Sequence, residues 1–386
     1  MSNPVKHKLV KFDGQKGFIY NLKIAIAKAR HLIWSGSVWR KAGSLLIAVF
    51  VAFSVASYSV AQWYINKHAN QPLTLGASFI ADYARNFSLD PKQTLEAMLA
   101  DLNLKQVRLV SYWKNIESQQ GKYDFSDLDW QFELANKYGA DVSLAIGLRQ
   151  PRWPECHEPD WAKNQSKDFW QPKLYAYMEA VVDRYKNNPA LQGYELENEF
   201  FMKVFGKCTD FDRQRLIEEY KMVKSWDPNH EVIVSRSDNW IGIPIGEPKP
   251  DKYAISIYKR VWDAIVTHRY FEYPLPPWFY ASLAGWGELF NDRDMVVHEL
   301  QAEPWPPKGM ELWEAPLTEQ YKSMDAKRFK DRINYGIDTG MRTLDLWGAE
   351  WWYWLKEKHG DDSVWQVAKE AIAKAEIDNQ KLADRD

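Results

Sequence analysis

The 386 residues predict an α/β fold: a parallel (β/α)8 TIM barrel preceded by a single N-terminal transmembrane helix. Three observations carry that expectation. Eight short apolar runs alternate with longer amphipathic stretches, no Ser/Gly-rich or charge-block linker divides them, and one uncharged run of about 24 residues stands ahead of them.

The tail, residues 1–41, is basic. Lys6, Lys8, Lys11, Lys16, Lys23, Lys28, Arg30, Arg40 and Lys41 face only Asp13. Nine charges against one give +8, so a chain of net charge -2 leaves -10 for the rest. An acidic body gives no electrostatic reason to expect nucleic acid. Within the tail Phe18, Ile19, Leu22, Ile26, Ala29 and Ile33 share one helical face, while Lys28 and His31 lie away from it. That pattern suits a helix lying on the inner membrane surface or one packed against a partner subunit.

From Ala42 to Ile65 the chain carries no charge. At ~1.5 Å rise per residue such a run spans the ~30 Å hydrocarbon core. Trp39, Trp63 and Tyr64 stand where interfacial aromatics do, and the excess of Lys and Arg before the run predicts a cytoplasmic N-terminus and an extracytoplasmic body, periplasmic or at the cell surface. Ser59-Val60-Ala61 resembles a cleavage site, but a basic lead of some forty residues is far longer than a signal peptide carries, so 42–65 reads as a signal anchor. The body, 66–386, contains both cysteines, Cys156 and Cys208, in a compartment that permits oxidation, and they predict a disulfide. No second Cys or His pair stands at ligand spacing, so neither a metal nor a cofactor is expected.

The strand candidates in order are 73–79, 106–111, 141–147, 191–199, 231–235, 253–258, 295–300 and 342–347. The helix candidates between them are Pro91–Leu102, Leu128–Lys137, Pro172–Lys186, Asp212–Ser225, Pro277–Phe290, Thr318–Thr339 and Ser363–Ala375. Asp90-Pro91 supplies a cap followed by proline in the first turn. A doubly wound open sheet is the competing topology, but no Gly-rich phosphate turn follows the first strand.

In a barrel of this kind the chemistry sits at the C-terminal ends of the strands. Strand two holds Arg108, strand four ends in Asn198-Glu199, strand six in Tyr258, strand seven carries His298-Glu299 and strand eight ends in Trp347. Two carboxylates roughly 5–5.5 Å apart across the mouth perform double displacement at a glycosidic bond. In "YELENEF" the alternation points Glu195, Glu197 and Glu199 the same way, so the deeper acids need a partner such as Arg108 or a bulge that turns one of them out.

These residues resemble the superfamily of retaining (β/α)8 glycoside hydrolases called clan A, which includes cellulases, mannanases and β-galactosidases. The resemblance runs from about Leu73 to Trp354 through scattered short motifs. It implies that Glu199 is the acid/base, that Asn198 binds the sugar 2-hydroxyl, and that the nucleophile is a Glu at the end of strand seven. Glu299 takes that role because it directly follows the apolar strand, whereas Glu303 lies four residues on. Arg108 and Tyr258 would hold the nucleophile ionised. Trp347 matches the tryptophan beneath the sugar at the cleavage point.

Other tryptophans fall in loops on the same face: Trp153, Trp161, Trp240 and Trp305. His157 contacts a sugar or caps its loop, and Arg149 and Arg152 face an acidic substrate or solvent. The segment "VVHELQAEPW" departs from the commonest cellulase motif, in which an aromatic residue and Gly follow the Glu, which leaves the substrate open. The functional expectation is a membrane-tethered glycosidase on an oligo- or polysaccharide, its oligomeric state open. The alternatives are a non-catalytic glycan-binding or envelope-assembly barrel and a transglycosylase using the same site.

Overall fold

The computed structural model describes residues 23–24, 28, 38–203, 205–208, 210–236 and 246–385. The amphipathic face expected over 18–33 and Trp240 lie outside the described residues. The chain forms two compact units, Met1–Ser59 and Val60–Asp386. Helix α1 (Val38–His68) contains the whole of the expected 42–65 run and is long and apolar enough to cross a membrane. In the first unit Leu45, Leu46, Ile47, Phe50 and Phe53 are exposed, as lipid-facing side chains would be.

The second unit holds a closed barrel of eight parallel strands. They are β1 (Thr74–Ser78), β2 (Gln106–Val110), β3 (Asp141–Ile146), β4 (Leu191–Leu196), β5 (Glu231–Arg236), β6 (Lys252–Ile257), β9 (Asp294–Gln301) and β10 (Thr343–Trp347), with β10 closing on β1. All eight expected strands are present. Their apolar runs are nearly continuous because parallel strands are buried on both faces. The antiparallel hairpin β7 (Arg260–Asp263) and β8 (Arg269–Glu272) stands outside the barrel, in the connection after β6.

Helices cover the outside, and their starts follow local chemistry. The Asp90 carboxylate accepts the Gln93 N–H at the head of Pro91–Ala100, and Asp212 caps Arg213–Trp226 through Gln214. The expected helix Thr318–Thr339 is instead two, Leu317–Gln320 and Ala326–Ile337, because Asp325 leaves the helical conformation to cap the second through Arg328 N–H. The helix expected to start at Pro172 begins at Lys167, and the proline sits in its second turn. The tryptophan-rich run after β10 is a helix, Ala349–His359, that buries Trp351, Trp352 and Trp354.

The end of α1 belongs to the barrel unit. Tyr64 donates to Asp294 Oδ1 at 3.1 Å, His68 Nε2 lies 2.9 Å from Glu288 Oε2, and Lys67 pairs with the same carboxylate. Asp294 opens β9, so this attachment is at the strand N-terminal end, opposite the mouth.

A helix meets the barrel closely at Gly336, where an added Cβ would lie 2.6 Å from Leu300 Cδ2. Gly336→Val is expected to cost about 1–3 kcal/mol by overpacking. Thermal unfolding followed by near-ultraviolet circular dichroism measures it.

Candidate active site

Arg108 of β2 points into the barrel and is 1% exposed. Its Nε donates to Glu195 Oε2 at 2.5 Å, Nη1 to Glu299 Oε1 at 2.9 Å and Nη2 to Asn198 Oδ1 at 2.9 Å. One planar cation thus fixes residues from β4 and β9 by a fork that only guanidinium offers. Burial alone would raise the Glu195 pKa, but the charges of Arg108 and His298 hold it well below the ordinary carboxylate range. Glu299 accepts a second bond from the Tyr258 hydroxyl at 2.7 Å.

The three acids of "YELENEF" do not face one way. Strand β4 ends at Leu196, and Glu197 and Glu199 both take left-handed backbone conformations, φ 55° and 46°. Non-glycine residues pay for that region in strain, which the surroundings must hold in place. Glu197 turns outward, where Arg215 of helix Arg213–Trp226 meets it at 2.9 Å. It also accepts the backbone N–H of Leu148 and Arg149. Gly147 makes room for it, since a Cβ there would lie 2.3 Å from Glu197 Oε1. Glu197 is therefore the anchor of the loop that follows β3.

Glu199 stays at the mouth. Its N–H donates to Ser235 of β5 at 2.7 Å, and its Oε1 accepts from Ser256 of β6 at 2.5 Å. Burial, then the charges of Glu299 and Glu155, push its pKa well above the ordinary range. Glu199 and Glu299, from opposite sides of one site, therefore sit in contrasting surroundings. One is a desolvated acid; the other is tied to a cation and a phenol.

Above them opens a cavity of about 990 Å³, lined by both acids and by Tyr258, Trp153, Trp305 and Trp347 among others. Trp305 meets Tyr258 edge-on at 5.2 Å, and Trp153 is exposed beside Phe205. Trp347 is 5% exposed, and the Arg152 guanidinium lies over its ring at 4.1 Å and over Tyr83 at 3.4 Å. Asn198 lies just below, its amide donating to Glu155 at 3.0 Å. His157 is buried, stacked on Tyr112 at 3.7 Å, with Nε2 at 3.2 Å from the Arg152 carbonyl. Burial and Lys114 lower its pKa to about 3, so it is neutral and holds its loop. Trp161 packs against Trp113 and does not line the cavity.

Cys156 and Cys208 form the expected disulfide. It closes the loop that presents Arg152, Glu155 and His157. Arg149 and Arg152 are not solvent-facing: Arg149 pairs with Glu155, and Arg152 forms a two-pronged pair with Glu303 on the cavity wall. Glu155 is a further acid in the cavity that sequence reasoning passed over. Burial, opposed by Arg149 and reinforced by Glu299, pushes it up to about 8. Ser256 and His298 were also given no role, although Ser256 stands two residues before Tyr258, within the run 253–258 expected as a strand, and so shares its face.

Fold and site define a class: a parallel (β/α)8 barrel with buried acids at the C-terminal ends of its fourth and seventh barrel strands. No family model matches the chain. Its relatives by sequence are glycoside hydrolases. It is 26% identical over 146 residues to the β-galactosidase BgaH of Haloferax lucentense, covering 33% of this chain and 22% of that one. It is 29% identical over 142 residues to a probable mannan endo-1,4-β-mannosidase F of Aspergillus flavus, covering 35% and 30%. The chain spans less than a third of the length of either relative. Among solved structures, xylanase 10B from Thermotoga petrophila RKU-1 in complex with xylobiose superposes with a TM-score of 0.50 at 15% identity, covering 81% of this chain and 96% of that one. The likeness to clan A barrels read from the motifs is borne out by these relatives and by the shared fold.

Glu155 generates a pH prediction. Its folded pKa of about 8 exceeds the ordinary 4.5, so its contribution to stability is complete below 4.5 and lost as pH rises through 8. Stability of the wild type should fall relative to Glu155→Gln between those values, measured by denaturant unfolding across the range.

Proposed function

We propose that this chain is a retaining β-glycoside hydrolase, anchored in a membrane by α1, that cleaves an oligo- or polysaccharide outside the cytoplasm. The observation that carries the reading is the contrast between the two acids: Glu299 held by Arg108 and Tyr258, Glu199 desolvated at the same mouth. A nucleophile has to stay ionised and an acid has to keep its proton. Relatives described as β-galactosidases and mannanases point to the same chemistry.

In the first step Glu299 attacks the anomeric carbon, the C1–O bond breaks, and its electron pair leaves with the departing oxygen as Glu199 delivers a proton to it. In the second, ionised Glu199 takes a proton from water, the water oxygen bonds to C1, and Glu299 is released. The Tyr258 hydroxyl and Arg108 stabilise the Glu299 carboxylate each time it reforms. Trp153 and Trp305 offer faces for the apolar side of sugar rings, and a cavity of about 990 Å³ favours several rings over one. Trp347 forms the wall of the site, braced by Arg152. The basic tail and the disulfide favour a cytoplasmic N-terminus and an oxidising outer face.

The test is hydrolysis of activated aryl β-glycosides, including disaccharide glycosides, by the full chain in detergent. Glu199→Ala and Glu299→Gly are each expected to lose activity, with azide rescuing Glu299→Gly to the α-glycosyl azide. Full activity in Glu299→Gly would remove the nucleophile assignment. Activity should also decline as pH rises past the elevated pKa of Glu199, because the proton donor is then lost.

A further inference from the structure

Both acids are served by β6 and the residue that follows it: Tyr258, just past the strand end, donates to Glu299, and Ser256 of the strand touches Glu199. Ser256 Oγ also lies 3.0 Å from His298 Nε2, and His298 Nδ1 lies 2.9 Å from Glu195 Oε1. With the Arg108 bonds to Glu195 and Glu299, a single chain of hydrogen bonds runs from Glu199 to Glu299 beneath the cavity. Every member of it except Tyr258 is at most 6% exposed.

The proton count on that chain is constrained. Glu195, held ionised beside Arg108, accepts and does not donate, so His298 Nδ1 carries hydrogen. Ser256 has one hydroxyl hydrogen for two neighbours. If it points at Glu199 Oε1, His298 Nε2 must donate to the Ser256 oxygen and the ring is an imidazolium. If it points at Nε2, the ring is neutral and Glu199 Oε1 must itself be protonated, which puts the acid's proton beneath the site, away from substrate. The first arrangement leaves Oε1 occupied as an acceptor, and the acidic hydrogen then sits on Oε2.

We propose that His298, as an imidazolium, acts through Ser256 to keep the acidic proton of Glu199 on the oxygen that faces the cavity, so that these two residues position the proton donor. The proposal rests on the glycosidase reading and deepens it. Other charged and titratable groups packed about His298 are Glu195 and Glu199 from the β4 end, Arg108 from β2, which donates to the His298 carbonyl, Glu299 beside it on β9, and Asp345 of β10. Asp345 bonds Gln106 rather than the ring, and burial pushes it up to about 7. Among the described residues, only Glu195 and Ser256 bond the imidazole.

Two measurements on the full chain in detergent decide it. The first compares Ser256→Ala with wild type on phenyl and 2,4-dinitrophenyl β-glycosides, whose leaving groups do and do not need a proton. Loss of oriented acid catalysis is expected to lower kcat/KM on the phenyl substrate about 10²-fold, and at least tenfold less on the dinitrophenyl one. Equal losses on both would mean that Ser256 only supports the architecture, and would overturn the proposal. The second follows the His298 ring by proton–carbon NMR of protein labelled at histidine Cε1, assigned with His298→Gln. An imidazolium signal through neutral pH that becomes neutral at lower pH in Ser256→Ala than in wild type supports the proposal; a neutral ring in the wild type at pH 6 overturns it. If no glycoside is turned over, the glycosidase reading fails, and the ring signal alone settles whether the proton arrangement exists.

Discussion

Arg108 is a full positive charge inside a closed barrel, where an isolated ion would be very costly. It is tolerable because each nitrogen of its fork meets a side-chain oxygen from the β4 or β9 end: Glu195, Asn198 and Glu299. The dependence runs both ways. Glu195 is a buried carboxylate that would take up a proton without the guanidinium, Glu299 would lose its charged partner, and the side chain of Asn198 would lose the donor that orients it. Much of the order at the mouth follows from this one contact. It sets the position of Glu299, the ionisation of Glu195, and through His298 and Ser256 the surroundings of Glu199.

A second cation performs the same service outside the barrel wall. Arg215 joins Glu197, Glu219 and Asp210, and Glu197 in turn receives the backbone of the loop after β3. Because β4 stops at Leu196 and turns through two left-handed residues, one acid goes to each cation and the third, Glu199, is left in the cavity. The strained turn is how a single sequence segment serves three environments. The loop so anchored carries Arg152 and Glu155, with the disulfide joining it at Cys156 to the segment after β4.

What could be read from the sequence follows from which signals are local. All eight barrel strands were legible, since parallel strands are apolar on both faces and bounded by turns. The Arg108, Asn198, Tyr258 and Glu299 cluster was legible because strand ends in a closed barrel must converge. A bulge turning one acid outward was an open alternative, but that it is Glu197, and that Arg215 meets it, was not legible, since a left-handed residue leaves no mark on the alternation and the partner lies on another element. Glu155 and Arg152 were missed or left open for the same reason: their burial depends on the distant partners Asn198 and Glu303. The hairpin after β6 arises from Asp263 gathering the N–H groups of Ile265, Val266 and Thr267, a loop device that apolar periodicity does not report. Ser256 was within reach, since period two from Tyr258 already placed it on the inner face.

In the proposed reaction Glu299, bonded by Arg108 and Tyr258, forms a covalent bond to the sugar. The most direct measurement is mass spectrometry of the full chain after incubation with a panel of 2-deoxy-2-fluoro-β-glycosyl fluorides, followed by peptide mapping. A single glycosyl adduct on Glu299 is expected. An adduct on Glu303 or Glu155, or turnover that yields the inverted anomer without any adduct, would contradict it.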